Sequence, residues 1–179
     1  MRHGRTWLAL TSALLGGACL IPQEDNILPD IPPPLNQPPR IVETEIQPPT
    51  TIFQVDGGAG CPQVVFRAPV EDPDVNDLLF FDYFVDANVN PNSVAQGTIS
   101  PSGVPLRTEE ATYAVSFAAP GPASSPGIHV VEVVVADGPI VNRVSLPRTV
   151  PLPDGGTRID PTFAVSHAWQ MTVTDGGCP

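Results

Sequence analysis

From residue 40 onward the chain alternates apolar and polar side chains at every second position, in short runs. No stretch holds the three-to-four spacing of a helix. The clearest run is FAVSHAWQMTVT at 163–174. There Phe163, Val165, His167, Trp169, Met171 and Val173 alternate with Ala, Ser, Gln and Thr, which predicts a half-buried strand at or next to a sheet edge. The run IHVVEVVVA at 128–136 is apolar almost throughout and predicts a central strand. CPQVVFRA at 61–68 sets Val64, Phe66 and Ala68 on one face, and LLFFDYFVD at 78–86 does the same with Leu79, Phe81, Tyr83 and Val85. YAVSFA at 113–118 alternates Tyr113, Val115 and Phe117. A first strand is predicted over 40–46, continuing at 51–55 beyond Pro48-Pro49, with a turn at Gly57-Gly58. Weaker strand signals lie at 94–99, 104–107 and 140–146.

About seven such strands between 40 and 179 predict an all-β fold, an immunoglobulin-like antiparallel β-sandwich with strands A to G. The connection between F and G, Gly138 to Pro161, is far longer than the roughly 2–5 residues of an ordinary hairpin loop. It predicts an extended arm in which Val141, Val144 and Leu146 pair back across Asp154-Gly155-Gly156. Two motifs sharpen the fold. Glu71-Asp72-Pro73-Asp74 stands ahead of LLFFDYFVD, and VVEVVVADG occupies 130–138. Together they resemble the paired motifs of bacterial immunoglobulin-like domains of the polycystic-kidney-disease and cadherin-like type, where an acidic turn leads into strand C and strand F ends at a second acidic turn. The chain departs from that pattern twice. Val75-Asn76-Asp77 stands where a glycine is usual, and strand C carries Tyr83 and Phe84 in place of a tryptophan.

The N-terminal segment has a different character. Arg2 and Arg5 precede a short apolar stretch from Trp7 to Leu15, and Gly16, Gly17 and Ala18 lead into Cys19. The stretch is too short to span a bilayer and has the layout of an export signal. Its end resembles the signal peptides of bacterial lipoproteins. That resemblance implies that 1–18 is removed and that Cys19 is lipidated and becomes the mature N-terminus. The same small residues also suit ordinary signal peptidase, so plain secretion is the alternative. Residues 19–39 are crowded with Pro22, Pro29, Pro32, Pro33, Pro34, Pro38 and Pro39, which forbids a helix and predicts an extended tether ahead of a domain at 40–179.

Cysteine usage follows from this address. The chain has 3 cysteines, an odd number for an exported protein. If Cys19 carries lipid, as the resemblance implies, Cys61 and Cys178 remain as a pair in an oxidising compartment. The sandwich topology places the start of strand B and the end of strand G at one pole, so a bridge between them is geometrically reasonable.

Composition narrows the function. The formal net charge is −11, and all 8 basic residues are arginine. Loss of Arg2 and Arg5 with the leader leaves the exported body more acidic still. Such a chain lacks the clustered positive charge that nucleic-acid binding requires. The sharpest site signal is acidic. Asp72, Asp74, Asn76 and Asp77 occupy the B–C connection and Asp137 ends strand F, at the same pole of such a sandwich. Their oxygens suit a hard cation, so calcium is the one cofactor to weigh against a solvated Asp-Pro turn. An EF-hand is excluded, because Asp77 stands where that loop needs glycine. Arg143, Arg148 and Arg158 gather in the F–G insertion, which is the best candidate for a partner-contact surface; a tolerated decoration is the alternative.

Catalysis finds little footing. His129 and His167 both fall inside predicted strands, neighbouring Glu109 and Glu110 would point to opposite faces, and no nucleophile elbow, H-E-x-x-H or C-x-x-C motif is present. The expectation is a non-enzymatic protein of the cell envelope, on its periplasmic or surface face, held to a membrane through lipid on Cys19. Its role would be binding or structure within an envelope or surface assembly. The alternative is a carbohydrate-binding sandwich, which would need exposed aromatic residues for a glycan. Phe80 and Phe84, on the outer face of strand C, are the two to examine.

Overall fold

In the computed structural model, residues 36–58, 60–87, 90–117, 121–152 and 154–177 are described. Within them every regular element is a β-strand: β1 (Arg40–Ile41), β2 (Ile52–Asp56), β3 (Val64–Ala68), β4 (Val70–Glu71), β5 (Leu79–Val85), β6 (Ala95–Ile99), β7 (Ala111–Val115), β8 (Gly127–Ala136), β9 (Ile140–Val141), β10 (Val144–Ser145), β11 (Arg148–Pro151), β12 (Thr157–Asp160) and β13 (Ala164–Thr174). The fold is all-β, as expected, with more and shorter strands than the seven read from the pattern.

A five-stranded sheet runs in the order β2-β13-β8-β5-β6. Its centre is β8, where Val131, Val133 and Val135 point into the core and Val134 is buried on the opposite face, which is why the run reads as continuously apolar. β13 lies next to the edge. It is antiparallel to β8 from Ala164↔Ala136 to Val173↔Gly127 and parallel to β2 from Gln170↔Ile52 to Thr174↔Asp56. The weak signal at 94–99 is a full strand, β6, antiparallel to β5. Gly97 makes room there for the Phe81 ring, which would come within 2.6 Å of a Cβ and would have to shift.

The second layer is built from shorter pieces. β3 pairs with β7, and β4 with β1, all antiparallel. Single bridges, Gln47↔Arg67 and Glu71↔Leu106, extend those ladders. Pro69 separates β3 from β4 because it has no N–H to offer, but its carbonyl still accepts from the Val42 amide at 2.9 Å.

The core lies between the layers. Phe66 from β3 meets Trp169 from β13 edge-on at 5.1 Å between ring centroids. Tyr83 from β5 is fully buried and donates its hydroxyl to the Ala111 carbonyl of β7 at 2.9 Å, tying one layer to the other. The Trp169 indole N–H donates to the Pro48 carbonyl at 3.0 Å. Each fully buried large side chain here contributes about 1.5–3 kcal/mol of apolar burial.

The long insertion departs from its expected form. Val141, Val144 and Leu146 do not pair across Asp154-Gly155-Gly156. β9 and β10 close on each other through Asn142 and Arg143, at φ of 50° and 67°. A separate hairpin, β11–β12, spans Asp154-Gly155-Gly156, with Arg148↔Asp160 through Pro151↔Thr157 in register. A two-residue turn needs positive φ at both centres, which Asn142 tolerates. That local solution wins over the longer loop.

Candidate functional site

The acidic residues singled out from the sequence are largely drawn to one end of the β-fold, where they meet cations and amides of the same chain. Asp72 and Arg107 form its centre. Both side chains have no solvent exposure, and Arg107 Nη2 donates to Asp72 Oδ2 at 2.8 Å. The same guanidinium donates to the Val75 carbonyl at 2.9 Å and the Asp74 carbonyl at 3.0 Å. Asp72 Oδ1 accepts from the Asp74 amide at 3.0 Å. Burial pushes the Asp72 carboxyl up from its ordinary value, against the pull of the Asp74 amide and Arg107. Arg107 thus holds the turn 72–75 with a built-in cation, bonded to a carboxylate and two carbonyls.

Asp137 is the second buried carboxylate. It accepts from the Phe163 amide at 2.7 Å and from the Asn36 side-chain amide at 2.7 Å. Asn36 also donates to the Pro161 carbonyl at 2.8 Å, so it joins the two ends of the long insertion. Burial raises the Asp137 carboxyl, and the nearby charge of Asp72 adds to the rise. Asp74 accepts from the Gln37 amide at 2.6 Å, and Asp77 from Arg148 Nη2 at 2.8 Å. Asn76 is exposed. Asp72 and Asp137 thus use both carboxylate oxygens on donors of the chain, and Asp74 and Asp77 use one each. Among the described residues no three His, Cys, Asp or Glu side chains are grouped to hold a metal ion.

The three arginines of the insertion are also engaged. Arg143 pairs with Glu132 of β8 at 2.5 Å, Arg148 with Asp77 at 2.8 Å, and Arg158 with Asp160 at 2.5 Å. Arg143 and Arg148 tie the arm to β8 and to the turn 72–77, whereas Arg158 pairs within its own strand; Arg143 and Arg158 keep about half of their side chains in solvent. An open cleft of about 590 Å³ lies at the root of the arm, lined by Asp77, Pro139, Pro147, Arg148, Val150 and Asp160 among others. On the outer face of β5, Phe84 is buried and Phe80 half-buried, and no aromatic residue is among the exposed large hydrophobics described.

The two histidines are held in opposite ways. His129 is buried, with Nδ1 2.7 Å from Asp86 Oδ2 and Nε2 2.9 Å from the Ser125 carbonyl. Both partners are acceptors, so the doubly protonated ring fits best. Burial works against that charge, but the bonds to Ser125 and Asp86 outweigh it and raise the histidine above its ordinary value. His167 packs edge-on against Trp169 at 4.5 Å, and burial lowers it despite Glu43 at 4.0 Å. The signs are therefore opposed. The stabilisation from His129 is complete below about pH 6.5 and is lost as pH rises through its raised folded value. His167 costs stability as pH falls below about 6.5 toward its lowered folded value. Thermal melts across pH should show His129→Gln losing most at acidic pH, and His167→Gln relatively more acid-tolerant than the wild type. The same profile in all three proteins would contradict this assignment.

Arg107, Asn36 and the Asp86–His129 pair were not among the residues singled out from the sequence. Arg107 is the first charged residue after the uncharged run 87–106, a position that does not name its partner. Cys61 is half-buried and disulfide-bonded, while Cys178 and Cys19 lie outside the described residues. No family model, curated protein or solved structure matches this chain.

Proposed function

We propose that the chain is an exported protein, anchored through lipid on Cys19 to a membrane of the cell envelope. It presents an immunoglobulin-like sandwich on a proline-rich tether and serves a non-catalytic binding or structural role. The observation that carries this reading is the order of segments: a basic-apolar leader ending at Cys19, a run of prolines, and then a β-sandwich. The sheet arrangement supports the immunoglobulin-like assignment. Segments 40–47, 64–71 and 106–115 correspond to strands A, B and E. β2, β13, β8, β5 and β6 correspond to A′, G, F, C and C′, with A′ and G parallel. The bonding of His129 and His167 supports a structural use for both, and the ion pairs of the acidic pole support a rigid base for the arm. Pairing of Cys61 with Cys178 belongs to this reading.

Cell fractionation with a labelled fatty acid tests it. The wild type is expected to take up label and sediment with membranes. Cys19→Ser should lose the label and leave the membrane fraction while retaining its fold. An unlabelled, soluble wild type would favour plain secretion and overturn the anchor.

A further inference from the structure

β6 is the end strand of the large sheet, and β5 is its one strand neighbour among the described residues. Open edges invite pairing, and proteins commonly guard them with charge, proline or a bulge. Within Ala95–Ile99 β6 has none of these; a charge stands just past its end, where Glu109 Oε2 accepts from the Ser100 amide at 2.8 Å. Its sequence is Ala-Gln-Gly-Thr-Ile, and its register with β5 is regular from Tyr83↔Ala95 to Leu79↔Ile99. It also lies within residues 87–106, which contain no Asp, Glu, Lys or Arg, in a chain of net charge −11.

We propose that β6 is a self-association edge, pairing antiparallel with β6 of a second copy about a two-fold axis at Gly97. The register is self-complementary. Gly97 meets its own counterpart, where the missing side chain removes any cross-strand crowding. Gln96 of one copy stands opposite Thr98 of the other, and both are exposed, so amide and hydroxyl can exchange hydrogen bonds on the outer face. Ala95 stands opposite Ile99. The charge distribution selects a second copy as the occupant. Two chains this acidic repel each other over most of their surface, and the uncharged segment is where they meet without apposing like charges. The two five-stranded sheets would then join into one. This inference is independent of lipid on Cys19.

Sedimentation velocity of the full chain, in detergent where lipid is attached, tests the edge. Over about 1–300 µM the wild type is expected to shift from monomer to dimer, a weak association in keeping with a small interface. Gln96→Lys with Thr98→Lys apposes like charges across the axis and should weaken the dimer at least tenfold. Gln96→Lys with Thr98→Glu apposes opposite charges and should restore it. Both positions are solvent-exposed, so unchanged melting temperatures confirm that folding is intact. A wild type that stays monomeric throughout overturns the proposal. So does a dimer that the double-lysine variant leaves unchanged, since its contact must then lie elsewhere.

Discussion

Arg107→Ala is expected to destabilise the domain by about 3–5 kcal/mol, enough to unfold a large share of a marginally stable protein. The loss comes from what is left behind. Asp72 is completely buried, and Arg107 is its ion-pair partner at 2.8 Å. Without the guanidinium, that carboxylate sits in the interior with the Asp74 amide as its remaining short bond, and the carbonyls of Asp74 and Val75 lose their donor. Arg107→Lys should recover little, because one ammonium cannot reproduce the planar fork that serves three acceptors. The combined change Asp72→Asn with Arg107→Met should cost less than Arg107→Ala alone, since it removes the stranded charge. Denaturant melts of the four proteins check this. Equal stability of Arg107→Ala and wild type would show that the pair does not hold the turn 72–75.

Trp169→Ala is expected to cost about 3–5 kcal/mol as well, by a different route. Trp169 is fully buried among Phe66, His167 and the residues around them, and it spans the gap between the two layers. Its removal opens a cavity that β-strands on both sides cannot close without breaking ladder register. The indole N–H also fixes the Pro48 carbonyl, so the passage from the second layer to β2 should loosen. Trp169→Phe keeps the edge contact with Phe66 and should lose less. Urea midpoints rank the three proteins. A Trp169→Ala variant within about 1 kcal/mol of wild type would place the main packing elsewhere.

The large sheet was the most legible part of the chain. β8 and β13 are long enough for alternation, or its absence, to state which faces are covered. The apolar series Phe163 to Val173 marked the core side of β13 correctly at Trp169, Met171 and Val173. The second layer was harder to read. Outside the five-residue β3–β7 ladder its segments are interrupted by Pro48, Pro49 and Pro69, and pairing there is carried by two-residue strands and single bridges too short to leave a periodic trace. The insertion departs from its alternation pattern because turn chemistry at Asn142 acts over four residues, whereas the glycine pair implies a longer closure. At the acidic pole, the carboxylates of 72–77 stand close together in the sequence and were visible there. Their partners were not. Arg107 lies 35 residues from Asp72 and Asn36 lies 101 from Asp137, and nothing local in the sequence announces either contact.

Intact-mass analysis of the natively exported protein tests the central claim most directly. The account predicts a chain that starts at Cys19, carries the added mass of a diacylglyceryl group there, and is two hydrogens lighter than the reduced form through a Cys61–Cys178 bond. A chain with an unmodified N-terminus and two free thiols at Cys61 and Cys178 would contradict both the anchor and the closure of the sandwich.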